Sequence, residues 1–172
     1  VYPIAAGAAA ATRNYVAALD DDAFGALESF FADEADRHGL PLGEPVRVRV
    51  SHAAQTLPPQ PAAVPDSLGL SKGLVAITHL YADAGAQGSN QLVVTHELLH
   101  TLGATDKYDR ATGQPLEPDG LGDPGQSPRY PQQFGEIMAG RMATNARDAV
   151  IPDDIAPMLI GPLTAREIGW AP

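Results

Sequence analysis

The chain predicts an α+β domain: a small twisted mixed sheet with an N-terminal helix and a second, chemically marked helix, followed by a loop-rich C-terminal lobe. Three observations predict it. Apolar residues recur at helical spacing through 13–38, "PVRVRVS" at 45–51 alternates strictly, and "HELLH" at 96–100 lies in a stretch whose apolar residues share one helical face. The 172 residues suit a single domain, 1–172, read as an N-terminal lobe over 1–103 and a C-terminal lobe over 104–172.

The elements follow in chain order. Val16, Leu19, Phe24, Leu27, Phe30 and Phe31 define the first helix, which "DDD" at 20–22 can split, with Asp21 or Asp22 as an N-cap. In 45–51, Val46, Val48 and Val50 share one face and Arg47 and Arg49 the other, as in a half-buried strand. Pro58, Pro59, Pro61 and Pro65 make 52–72 a long irregular connection. "GLVAITHLYAD" at 73–83 is a second strand, with Val75, Ile77, His79 and Tyr81 on one face. Ser89 or Asn90 then caps a helix over 91–102, with Val94, Leu98 and Leu102 on one stripe, Leu99 flanking it, and His96 and His100 on another. Gly103 stops that helix, because glycine takes the left-handed conformation such a stop needs. Residues 109–135, rich in Gly, Pro and Asp, form a long loop that needs a functional or metal-based reason to be ordered. A short helix closes the chain at 162–170, with Thr164 and Glu167 as a capping box.

Composition bounds the function. Hydrophobic residues make up 44% and charged residues 19%, the balance of a globular chain. The net charge of −10 argues against nucleic acid and anionic lipid as partners. No cysteine is present, which excludes disulfides, thiolate metal sites and a cysteine nucleophile. No apolar run reaches the roughly 18 residues needed to span a bilayer. The opening "VYPIAAGAAAAT" lacks a starting Met and a basic region and reads as the start of a trimmed chain.

The chemistry concentrates in "HELLHTLGATD" at 96–106. Four residues apart on a helix, His96 and His100 direct both imidazoles to one side, close enough to grip one ion. Zinc suits imidazole ligands and keeps a position open for water. Glu97 points slightly aside, where it can take a proton from that water. Gly103 turns the chain, and Asp106 can return to the same ion. Asp109 and, more distantly, Glu136 rival it as third ligand. Asp119 and Asp123 in "PDGLGDPG" are candidates for a structural calcium ion, with a plain solvated loop as the simpler reading. His38, His52 and His79 carry structural or surface roles by default.

This segment resembles the extended zinc signature of the metzincin clan of metallopeptidases, and its aspartate resembles the snapalysin family of small secreted bacterial proteases. The resemblance implies a zincin-like fold, His96, His100 and Asp106 as zinc ligands, and Glu97 as general base and acid. It also implies a Met-turn beneath the metal, for which "GEIMAGRM" offers Met138 first and Met142 in reserve. The resemblance covers some eleven residues and, more loosely, this turn. Many metzincins carry a Tyr two residues after the Met; Gly140 stands there, so a tyrosine that stabilises the transition state comes from elsewhere or is absent, with Tyr108 and Tyr130 as candidates, each also readable as a packed loop aromatic. By the clan's pattern, strand 73–83 forms the upper rim of the cleft and pairs with an extended peptide. The expected protein is a monomeric, extracytoplasmic zinc endopeptidase acting on polypeptide. A zinc hydrolase of another amide, such as peptidoglycan cross-bridges, and a metal-binding module without turnover are the alternatives.

Overall fold

The computed structural model describes residues 21–40, 67–71, 75–81 and 84–171. Their architecture is mixed α+β, with three helices and small two-stranded sheets. Helix α1 runs Asp21–Arg37, and antiparallel strands β1 (Leu68–Leu70) and β2 (Val75–Ile77) form a hairpin. A 3-10 turn, Ala84–Ala86, leads into α2, Gln87–Thr101. The C-terminal half holds β3 (Gly135–Glu136), a 3-10 turn over Ile137–Ala139, β4 (Met142–Ala143), β5 (Ala149–Val150), β6 (Met158–Leu159) and α3 (Pro162–Glu167). Strand β3 pairs parallel with β6, and β4 antiparallel with β5. Residues 13–20 of the expected first helix, strand 45–51 and His52 lie outside the described residues. No described helix is long and apolar enough to cross a membrane.

One core draws on all three helices. Leu27 and Phe30 of α1, Leu92 and Leu99 of α2, Ile137 and Met138 of the turn, Ile155, Met158 and Ile160, and Ala165 of α3 form a single buried cluster. The end of α1 is fastened by polar contacts as well: Glu34 accepts from the Ile160 amide at 2.5 Å, and Arg37 closes on Glu34 with its Nε at 2.9 Å. His38 belongs to the same fastening, its Nε2 lying 3.0 Å from the Ile160 carbonyl.

Helix α2 starts and packs differently from the expectation. It begins at Gln87, after Ala86, with no side-chain cap. Ser89 and Asn90 fall inside the first turns. The Ser89 hydroxyl donates to the Ala86 carbonyl, while buried Asn90 grips the backbone of Tyr81, accepting from its N–H at 3.1 Å and donating to its carbonyl at 2.8 Å. A tertiary partner has taken the group that local pattern assigns to a cap. The buried stripe runs through Gly88, Gln91, Leu92, Thr95 and Leu99, whereas Leu102 is 43% exposed. Because the His-bearing stripe faces a cleft, the apolar face is rotated toward Leu99. The helix ends as expected: Gly103 has φ +106°, its N–H donates to the His100 carbonyl at 3.1 Å, and Ala104 N–H reaches the Leu99 carbonyl at 3.1 Å. These two bonds satisfy terminal carbonyls in the manner of a Schellman stop.

Of the expected irregular connection 52–72, the described part, residues 67–71, holds strand β1, and the rest lies outside the described residues. Strand β1 lies directly against the histidine face. A Cβ at Gly69 would come within 2.4 Å of the Glu97 carbonyl oxygen and 2.5 Å of the His100 Cβ. Glycine is therefore what lets this backbone rest directly on α2. The Thr164–Glu167 capping box does not form. Helix α3 starts after Gly161 with Pro162 at its first position, which leaves Thr164 and Glu167 free for longer-range partners.

Candidate metal centre

Three side chains converge at the C-terminal end of α2. The Nε2 atoms of His96 and His100 are 3.0 Å apart, and Asp106 Oδ1 lies 3.2 Å from the first and 3.0 Å from the second. Among the described residues, this is the one group of three metal-ligating side chains within reach of one ion. Each imidazole is oriented from behind. His96 Nδ1 sits 3.1 Å from the Ile137 carbonyl, and His100 Nδ1 sits 2.7 Å from the Ala104 carbonyl. Carbonyls only accept, so both Nδ1 atoms carry hydrogen and both Nε2 atoms of the neutral rings present lone pairs.

That arrangement fits a cation. Two lone pairs and a carboxylate oxygen meet with no donor between them, a repulsive set unless a positive ion holds it together. Four ligands at zinc distances of about 2.0–2.1 Å would be separated by roughly 3.3 Å in a tetrahedron, close to the spacings seen here. The ring N–H groups donating to backbone carbonyls are the usual outer partners of ligating histidines. Burial pulls His96 toward its neutral form, but the Asp106 carboxylate, the Ile137 carbonyl and the Glu97 charge outweigh it and hold its pKa above the ordinary histidine value. Asp106 moves the other way: its bond to His96 acts against partial burial and, with Arg110, holds it well below the usual carboxylate range.

A cleft of about 160 Å³ opens over this centre, lined by Ser67, Leu68 and Gly69 on one side and by Tyr108 and Arg110 on another. Among the described residues, this rim comes from β1 and not from the described part of 73–83, residues 75–81. Glu97 also lines the cleft. It is 7% exposed, and its Oε2 has no hydrogen-bond partner among the described residues. The Tyr108 ring centre is 6.2 Å from that of His96, at the cleft wall. Tyr130 lies elsewhere: its hydroxyl donates to Glu117, which also pairs with Arg129, and it does not line the cleft.

The rival carboxylates have other partners. Asp109 is exposed and ties its own turn, accepting from the N–H groups of Ala111 at 2.9 Å and Thr112 at 2.8 Å. Glu136 is fully buried and accepts from four donors outside the ligand group. Asp123 accepts from the Gly125 N–H, and neither it nor Asp119 belongs to a three-ligand group among the described residues. The loop 109–135 is ordered by protein contacts, among them buried Gln132, which accepts from Asp123 N–H and donates to the carbonyls of Asp123 and Arg129.

Met138 is wholly buried in the 3-10 turn that presents the Ile137 carbonyl to His96, and Gly140 closes that turn at φ +66°. Met142 sits in β4, half-buried at the edge of the core. The Met138 carbonyl in turn accepts from the Lys107 N–H at 2.9 Å, next to Asp106. Spacing alone does not reveal the other support of that loop. Lys107 is buried, and its ammonium meets Glu167 of α3 at 2.7 Å, while Glu167 also accepts from the Thr105 amide and hydroxyl. Burial alone would raise the Glu167 pKa. The Lys107 ammonium and the two Thr105 donors outweigh it and hold the group below the ordinary glutamate value. A depressed carboxylate contributes stability above its unfolded pKa and loses it as pH falls through the folded one. The melting temperature of Glu167→Gln should therefore fall less than that of the parent as pH drops from about 5 to 3. Parallel melting curves for the two proteins across that window would remove the clamp from the account.

No protein-family model, curated protein or solved structure matches the chain.

Proposed function

We propose that the protein is a zinc-dependent endopeptidase with a zincin-like catalytic domain. The observation that carries the reading is the convergence of His96 Nε2, His100 Nε2 and Asp106 Oδ1 with the Glu97 carboxylate beside them in one cleft. Zinc, when bound, supplies a Lewis acid that polarises a carbonyl and acidifies water. Glu97 takes the proton from the attacking water and returns it to the leaving amine. In this reading Tyr108, at the cleft wall, would donate to the developing oxyanion. The turn around Met138, which holds the carbonyl facing His96, is the Met-turn of this reading.

The segment from Ser67 to Gly69 offers backbone along the cleft to an extended polypeptide. Extracytoplasmic location and monomeric action accompany this reading as proposals. The first test is metal content. The purified protein should carry one zinc per chain, and His100→Ala none, with hydrolysis of a mixed peptide pool lost in step. A folded parent protein that takes up no zinc from a micromolar solution would end the proposal. Zinc without cleavage of any peptide, but with cleavage of peptidoglycan cross-bridges, would move the substrate to another amide.

A further inference from the structure

Asp106 divides its two oxygens. Oδ1 faces the histidine pair, and Oδ2 accepts from the Arg110 guanidinium at 2.8 Å. We infer that Arg110 is a positioning residue for the metal ligand: it occupies Oδ2 so that Asp106 offers the ion Oδ1 alone, from a fixed direction. This rests on the metal-site reading and adds to it.

The placement of Arg110 is built into the loop. Asp109 ties the turn that follows it through Ala111, Thr112 and the Thr112 hydroxyl, and its own N–H and carbonyl bond across the turn to Gln114 at 2.8 Å and Gly113 at 2.7 Å. The next strand-like contact, Tyr108 with Pro115, closes the base. Arg110 therefore starts from a backbone fixed on both sides, although its side chain is 83% exposed. A carboxylate free to rotate can offer either oxygen or both to an ion. One whose second oxygen is hydrogen-bonded to a cation offers one, and outer partners of this kind commonly support metal affinity. The guanidinium also carries a positive charge near the ion, which by itself would weaken binding. Water screens a charge so exposed, so orientation is the larger effect.

The measurement is zinc affinity, by competition with a chromophoric chelator, for the parent, Arg110→Ala, Arg110→Lys, Asp106→Asn and the Ala/Asn double variant. Arg110→Ala should bind zinc roughly tenfold more weakly than the parent. Arg110→Lys should recover most of the loss, because the bond to Oδ2 needs one charged donor. In the Asp106→Asn background the alanine change should have no further effect. Unchanged or tighter binding by Arg110→Ala overturns the assignment, as does an equal loss in the Asp106→Asn background, which would make the effect independent of the ligand. Failure of the parent itself to bind zinc is a different result and removes the metal site, not only its positioning residue.

Discussion

Glu97→Gln should lower peptide hydrolysis by about 10²–10⁴-fold while leaving the zinc content at one per chain. The two halves of this result have separate causes. Glutamine matches glutamate in shape, and Glu97 stands outside the three-ligand group, so the ligands and the fold around them are retained. What is lost is a base. The Glu97 carboxylate lines the cleft beside the histidines, and its buried Oε2 has no partner among the described residues. A buried carboxylate oxygen left without a donor is costly unless something that enters the cleft supplies one. Water and the leaving amine are the donors the mechanism brings. The check is a rate comparison on casein or a peptide pool, beside metal analysis of both proteins. Equal rates would falsify the role of Glu97, and loss of zinc together with activity would make it a ligand instead.

Glu136→Ala should produce the largest loss of stability of any single change at this end of the molecule. The carboxylate is 0% exposed and accepts from Met138 N–H at 2.6 Å, Ala139 N–H at 3.1 Å, Gly161 N–H at 3.2 Å and the Thr164 hydroxyl at 2.6 Å. Alanine leaves these donors in a dry site and opens a cavity. At about 1–3 kcal/mol for each stranded group, discounted for relaxation, the loss should reach roughly 3 kcal/mol or more. For a domain of this size that is a fall in melting temperature of order 10 °C. Glutamine should do little better, since its amide N–H₂ would face N–H donors. Thermal denaturation of both variants is the measurement, and a shift under about 2 °C would show that the turn is held by other means.

Much of the candidate site was legible because it depends on local spacing. A four-residue interval on a helix brings two imidazoles together whatever surrounds it, and a glycine after the helix accepts a positive φ that other residues resist. His96, His100, Glu97, Gly103 and Asp106 are therefore readable one after another. The caps were misread for the opposite reason. Ser89, Asn90, Thr164 and Glu167 are residue types that cap helices, but each type also bonds well over long range, and tertiary partners at Tyr81, Glu136 and Lys107 claimed three of them. Strand β1 is three residues long with a glycine at its centre, too short for alternation to register. Its position is set by the close approach of Gly69 to α2, which no local pattern announces. The role of Glu136 left only a faint trace, a carboxylate placed just before a short apolar turn that ends in Gly140.

Helix α3 has a consequence for the order in which the protein comes into being. Its Thr164 holds Glu136, and through it the turn behind His96; its Glu167 holds Thr105 and Lys107 on either side of Asp106. All three candidate ligands are synthesised before either brace exists. A growing chain can thus present the histidine pair early, but the backbone on either side of Asp106 is braced by α3 only after residues 162–167 have been made and folded back. Helix α3 thus acts as a timer: the candidate centre is framed only once residues 162–167 are in place, and a chain cut short before Pro162 would carry the three side chains without the frame that sets them.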